Sequence, residues 1–104
     1  MVPDLQIATE ALVEIEDALA LAPADWTTAQ RVCEDSLDFA TFPLFQRYEP
    51  GQALKMVDTR AYELSRDVGQ LQGALKARDR EVVDRLLASI TRIVQALASE
   101  SVVV

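Results

Sequence analysis

From Leu54 to Leu75 the apolar residues Leu54, Val57, Ala61, Leu64, Val68, Leu71 and Leu75 recur at spacings of 3, 4, 3, 4, 3 and 4. That rhythm holds one face of a helix with 3.6 residues per turn, and a strand, which switches face at every residue, does not produce it. A helix is therefore expected from Gly51 or Gln52 to about Ala77. The same spacing recurs on both sides of it. Leu5, Ala8, Leu12, Ile15, Leu19 and Ala22 mark a first helix from about Pro3 to Leu21. Pro3 suits its first turn, Asp4 suits the positive end of the helix dipole, and Pro23 bars continuation. Val83, Leu86, Ile90, Ile93 and Leu97 mark a last helix starting near Asp79, and Val82, Leu87 and Val94 widen its stripe enough to meet two neighbours.

Between these lies a weaker signal. A short second helix is expected from Asp25 to about Glu34, capped by Asp25 or Thr27, with Trp26, Ala29, Val32 and Cys33 on its apolar side. From Ser36 to Pro50 the helical period fails. Leu37, Phe39 and the residues up to Phe42 alternate partly with period two, then Pro43 and Pro50-Gly51 punctuate. This predicts an extended crossover with one helical turn around Leu44–Tyr48. The end, from Ser99 to Val104, has β propensity without a partner and is expected to fray. The resulting expectation is an all-α fold, an up-down four-helix bundle with a short second helix and an extended crossover, in a single domain over residues 1–104.

Composition supports a packed chain. Half of the 104 residues are apolar, enough for a core and too many for an acidic disordered chain. Gly69 and Gly73 interrupt the third helix at a cost of about 1 kcal/mol each relative to alanine. Four residues apart, they share a face. They imply either close approach of another backbone within the fold or a seat for a partner helix.

The chain has no histidine and one cysteine. That excludes histidine acid–base catalysis, histidine-ligated haem, an internal disulfide and a cysteine zinc site. Cys33 lies beside Glu34 and Asp35, whose charges disfavour a thiolate, so a small buried side chain is its expected role. The carboxylate pairs Glu10/Glu14 and Glu63/Asp67 have the four-residue spacing that solvated helix faces produce routinely, and no metal site is expected from them. With no phosphate loop and no dinucleotide fingerprint, the chain reads as a non-enzyme without cofactor.

Formal charge is −7, and it is unevenly spread. Residues 1–49 carry ten acidic and two basic side chains, whereas residues 50–104 carry seven acidic and eight basic. An acidic first half repels phosphate backbones and anionic lipid, so nucleic acid is not an expected partner. No apolar stretch is long enough to span a bilayer, and Met1-Val2-Pro3-Asp4 lacks the basic region of a signal peptide. On the last two helices, arginines from Arg60 to Arg92 alternate with carboxylates from Asp58 to Asp84, a pattern expected of a solvated face.

Protein contact is the remaining expectation, and aromatic residues carry it. Phe39, Phe42 and Phe45 fall within seven residues and are followed by Tyr48. So many aromatics in an irregular segment form either a plug over the end of the bundle or an interaction epitope. Trp26 admits the same two readings.

The order of these elements resembles a known family. Trp26-Thr27-Thr28-Ala29 on a short second helix, an extended Leu37–Phe42 segment, and a long helix carrying Arg60-Ala61-Tyr62-Glu63-Leu64-Ser65-Arg66-Asp67-Val68 resemble the PsbQ-like extrinsic proteins of photosystem II. The resemblance spans residues 5–98 in architecture and 26–75 in texture. It implies a non-catalytic subunit docked on the photosystem II core at the lumenal side of the thylakoid membrane, steadying the oxygen-evolving complex. Trp26, Phe42, Arg60, Tyr62 and Asp67 are the positions it matches as docking or bundle-defining residues. The expected function is thus an extrinsic structural or assembly subunit of a larger complex in the thylakoid lumen. The alternative is a cytoplasmic adaptor or chaperone-like bundle that binds one protein partner.

Overall fold

In the computed structural model, residues 3–40 and 59–102 are described, with side chains for 5–40 and 63–99. Helix α1 spans Pro3–Ala20, α2 spans Trp26–Val32, α3 spans Thr59–Ala77 and α4 spans Arg80–Val102. Directly after α2 the chain widens into a π-helical turn, Cys33–Leu37, and stays helical to residue 40.

Each helix touches two others. Helix α1 packs on α2 and α4, and α3 packs on α4 and on α2 with its π turn, while the diagonal pairs α1/α3 and α2/α4 are out of contact among the described residues. The four helices therefore form a ring around one core, the arrangement of an up-down bundle. Leu12, Ile15, Leu37, Leu64, Leu71, Leu75, Val83 and Ile90 are among the residues filling it, all nearly or completely hidden from solvent. Of the stripes read from helical spacing, Leu5 to Leu19 in α1, Leu64 to Leu75 in α3 and Val83 to Ile93 in α4 point inward, while Ala22 lies past the end of α1 and is exposed. Leu54, Val57 and the Ala61 side chain, the expected start of the third helix at Gly51 or Gln52, and the helical turn expected around Leu44–Tyr48 lie outside the described residues.

Local chemistry sets the helix ends. Asp25 caps α2: its Oδ1 accepts from the Thr28 backbone N–H at 3.1 Å, and its Oδ2 accepts from the Thr28 hydroxyl at 2.7 Å. Those bonds hold the Asp25 carboxyl below its ordinary pKa. Helix α3 ends in a Schellman motif. The Arg78 N–H donates to the Leu75 carbonyl at 3.1 Å, and the Asp79 N–H donates to the Ala74 carbonyl at 3.0 Å. Asp79 then caps α4 through the Val82 N–H at 3.4 Å, so two residues turn the chain back on itself. This motif needs a left-handed residue, and Arg78 supplies it at φ 57° where glycine would be unstrained. Arg78→Gly should raise the unfolding free energy by about 1 kcal/mol, read as a higher midpoint in urea. An unchanged or lower midpoint would mean that the arginine side chain compensates for its own strain.

A long-range bond closes the ring. Arg80, the first residue of α4, donates from Nη1 to the Leu19 carbonyl at 2.9 Å while its Nε donates to Asp84 at 3.0 Å. A cation at the last turn of α1 meets both an open carbonyl and the negative end of the helix dipole. The start of α4 is thereby fixed beside the end of α1, as an antiparallel pair requires.

The structure corrects four expectations. Ser36–Ala40 is helical, because Leu37 and Ala40, three apart, both reach the core at 0% and 1% exposure. The apparent period of two came from Phe39, which points outward. The last helix runs to Val102, beyond the expected fraying point. Asp67 is not on a solvated face: it is 7% exposed and accepts a hydrogen bond from the Ser89 hydroxyl at 2.8 Å, linking α3 to α4. Finally, among the described residues no backbone approaches Gly69 or Gly73. A Cβ built on either meets nothing within 4 Å.

Candidate surface for protein contact

Phe39 stands out by contrast with its neighbours. Its ring is 71% exposed although Leu37 and Ala40 anchor the same helical segment in the core. An aromatic ring loses about 2 kcal/mol of burial by facing water, so its direction here follows from the segment's register. Two features set that register. Asp25 starts the helix, and the π turn has the Asp38 N–H reach back five residues to the Cys33 carbonyl. Such turns widen a helix locally and recur at functional positions.

Three carboxylates share the Phe39 surface. Glu34, Asp35 and Asp38 line with Phe39 an open concavity of about 480 Å³. Gln30 Nε2 donates to Glu34 Oε1 at 3.3 Å, which orients that carboxylate on the helix surface. Beneath them, Cys33 is fully buried, and its thiol pKa is pushed up to about 12 by burial first and then by Asp38 and Glu34.

That thiol has two measurable consequences. At pH 8 the native protein should react with a thiol reagent about 1000-fold more slowly than the urea-unfolded chain, the loss of thiolate that a pKa near 12 instead of 9 brings. Because the folded pKa is the higher one, folding favours the protonated thiol. The corresponding stability is intact below pH 9 and is lost as pH rises toward 12. Comparison of Cys33→Ala with the parent chain over that window isolates the effect. Equal labelling rates in the folded and unfolded states would contradict the buried placement.

The remaining sequence candidates are scattered. Trp26, at the start of α2, is half-buried and packs against the core. Asp67 lies in the α3/α4 seam. Arg60 and Tyr62 are on α3, with their side chains outside the described residues, and Phe42, Phe45 and Tyr48 lie outside them entirely. Phe39 and Asp67 are thus on different parts of the bundle. Periodicity did not reveal the Asp67–Ser89 pair, since its members lie 22 residues apart and neither carries an apolar signal.

A second depression, of about 230 Å³, runs between α1 and α4 past Val13, Thr91 and Val94. The Thr91 hydroxyl oxygen is buried there without a hydrogen-bond partner. An unpaired buried hydroxyl costs free energy that a methyl group does not. Thr91→Val should therefore stabilise the fold by about 1 kcal/mol in urea titration, and destabilisation would show that the hydroxyl is in fact bonded.

Among the described residues, no helix is long and apolar enough to cross a membrane, and no three histidine, cysteine or carboxylate side chains gather to hold a metal ion. No family model matches the chain, and no curated protein or solved structure matches it.

Proposed function

We propose that this helical bundle is a non-catalytic docking module, a structural or assembly subunit that binds a larger protein complex through the side formed by α1, α2 and the π turn. The observation that carries the reading is Phe39, exposed at 71% on a segment whose neighbours are buried. The other large apolar side chains exposed among the described residues, Ile7, Val13 and Leu21, also belong to α1 or its end, and none lies on α3 or α4. Interfaces concentrate binding energy in such aromatic residues.

In its narrower form, the complex is photosystem II and the compartment is the thylakoid lumen. The order of helices and the texture of residues 26–75 are what support that form. Native pull-down with and without a high-salt wash tests both levels. Recovery of photosystem II subunits that salt releases supports the narrow form. Salt-released recovery of a different complex supports docking and removes the photosystem. Recovery of the chain alone overturns the docking reading.

The empty space over Gly69 and Gly73 favours a second reading, an adaptor that seats a partner helix on α3. Gly69→Leu with Gly73→Leu should then abolish partner recovery while circular dichroism stays unchanged. Undiminished recovery would discard this seat.

A further inference from the structure

We infer that the concave surface around Phe39 is a seat for a cationic segment of a partner protein, one presenting arginine or lysine beside an apolar side chain. The inference rests on the docking reading above and adds the chemistry of the partner. Phe39 and the carboxylates of Glu34, Asp35 and Asp38 line the same concavity, so a side chain entering it meets a π face and several anionic oxygens together. Arginine and lysine match that combination. Their aliphatic stems cover an aromatic ring, their charge is drawn to its face, and their N–H groups donate to carboxylates.

Charge over the rest of the fold agrees. Residues 3–40 carry nine carboxylates against Arg31 alone, while residues 59–102 carry seven cations against six carboxylates. Because α1 packs directly on α2 and its π turn, the anionic character is gathered on one half of the bundle. A field of that sign raises the encounter rate with a basic segment and repels nucleic acid and anionic bilayers. Arg31, the one cation of this half, lines a neighbouring depression with Thr27, Gln30 and Glu34, outside the Phe39 concavity.

The backbone holds the seat in place. Leu37 and Ala40 fasten the segment to the core on either side of the ring, so little ordering entropy is lost when a partner arrives. The ring stands outside the core, which makes the seat separable from the packing of the bundle by mutation.

A fluorescein-labelled peptide of alternating arginine and leucine turns is the probe, with a second peptide carrying glutamate in place of every arginine. Anisotropy titration at low and at physiological salt should show one-to-one binding of the arginine peptide and none of the glutamate peptide. Phe39→Ser should weaken binding by about tenfold or more, Phe39→Tyr should retain it, and Glu34→Gln with Asp35→Asn should also weaken it by about tenfold. Glu81→Gln, the same kind of charge loss on α4, should leave affinity unchanged. Circular dichroism confirms that each variant is folded. The seat is overturned by equal binding to Phe39→Ser, by equal effects of Glu81→Gln and the α2 pair, or by no binding of the arginine peptide to the parent chain. The two readings fail separately. A pull-down that still recovers a complex beside a negative titration moves docking to another surface, and a pull-down that recovers nothing removes docking itself.

Discussion

Leu37→Ala should lower the unfolding free energy by about 3 kcal/mol, whereas Phe39→Ala, two residues away, should change it by no more than about 0.5 kcal/mol. The asymmetry follows from burial. Leu37 is completely hidden on a turn that packs against α1, α2 and α3, so truncation removes apolar burial and leaves a cavity. Phe39 is 71% exposed, and its removal leaves no cavity in the core. For a domain of this size, whose whole stability is of order 5–10 kcal/mol, the first substitution brings a large drop in midpoint and the second almost none. Urea denaturation followed by circular dichroism reads both. Equal losses at the two positions would mean that the ring is part of the core, and that the aromatic segment plugs the bundle.

The opposite sign is expected on α3. Gly69→Ala combined with Gly73→Ala should stabilise the protein by about 2 kcal/mol, a rise in melting temperature of roughly 10 °C. Both glycines lie inside a helix at ordinary negative φ, and the added methyl groups meet nothing within 4 Å. Neither left-handed geometry nor close packing in the bundle therefore requires glycine at these positions. Alanine reduces the conformational freedom of the unfolded chain and leaves the native contacts untouched. A double variant that melts at or below the parent temperature would show that the glycines serve the fold itself.

Leu64, Val68, Leu71 and Leu75 were legible as a buried stripe because helical period and burial coincide along α3. The turn at Arg78-Asp79 was legible in position, since the apolar rhythm restarts after it, but its left-handed arginine was not. Leu37 and Phe39 were misread together. Both are large and apolar, and only the position of α1 and α3 relative to the helix decides which of them is covered. Spacing alone places Asp67 on a solvated face, and the resemblance marks it as a docking or bundle-defining position; neither contains information about Ser89 on the facing helix. The Arg80 bond to Leu19 was hidden for the same reason, its partners being 61 residues apart.

Of the proposed contact surface, the ingredients are legible in the sequence: a cluster of aromatics, an acidic first half and a lone cysteine between carboxylates. Their arrangement is not. Periodicity, capping residues and charge act over one or two turns, and they suffice to determine that this chain forms amphipathic helices, where most of them end, and that its first half is anionic. Which exposed ring stands among those charges is decided only when α2 and its π turn settle against α1 and α3. The physical reason is that burial depends on the neighbours a side chain meets in space, and local sequence specifies those neighbours only in part.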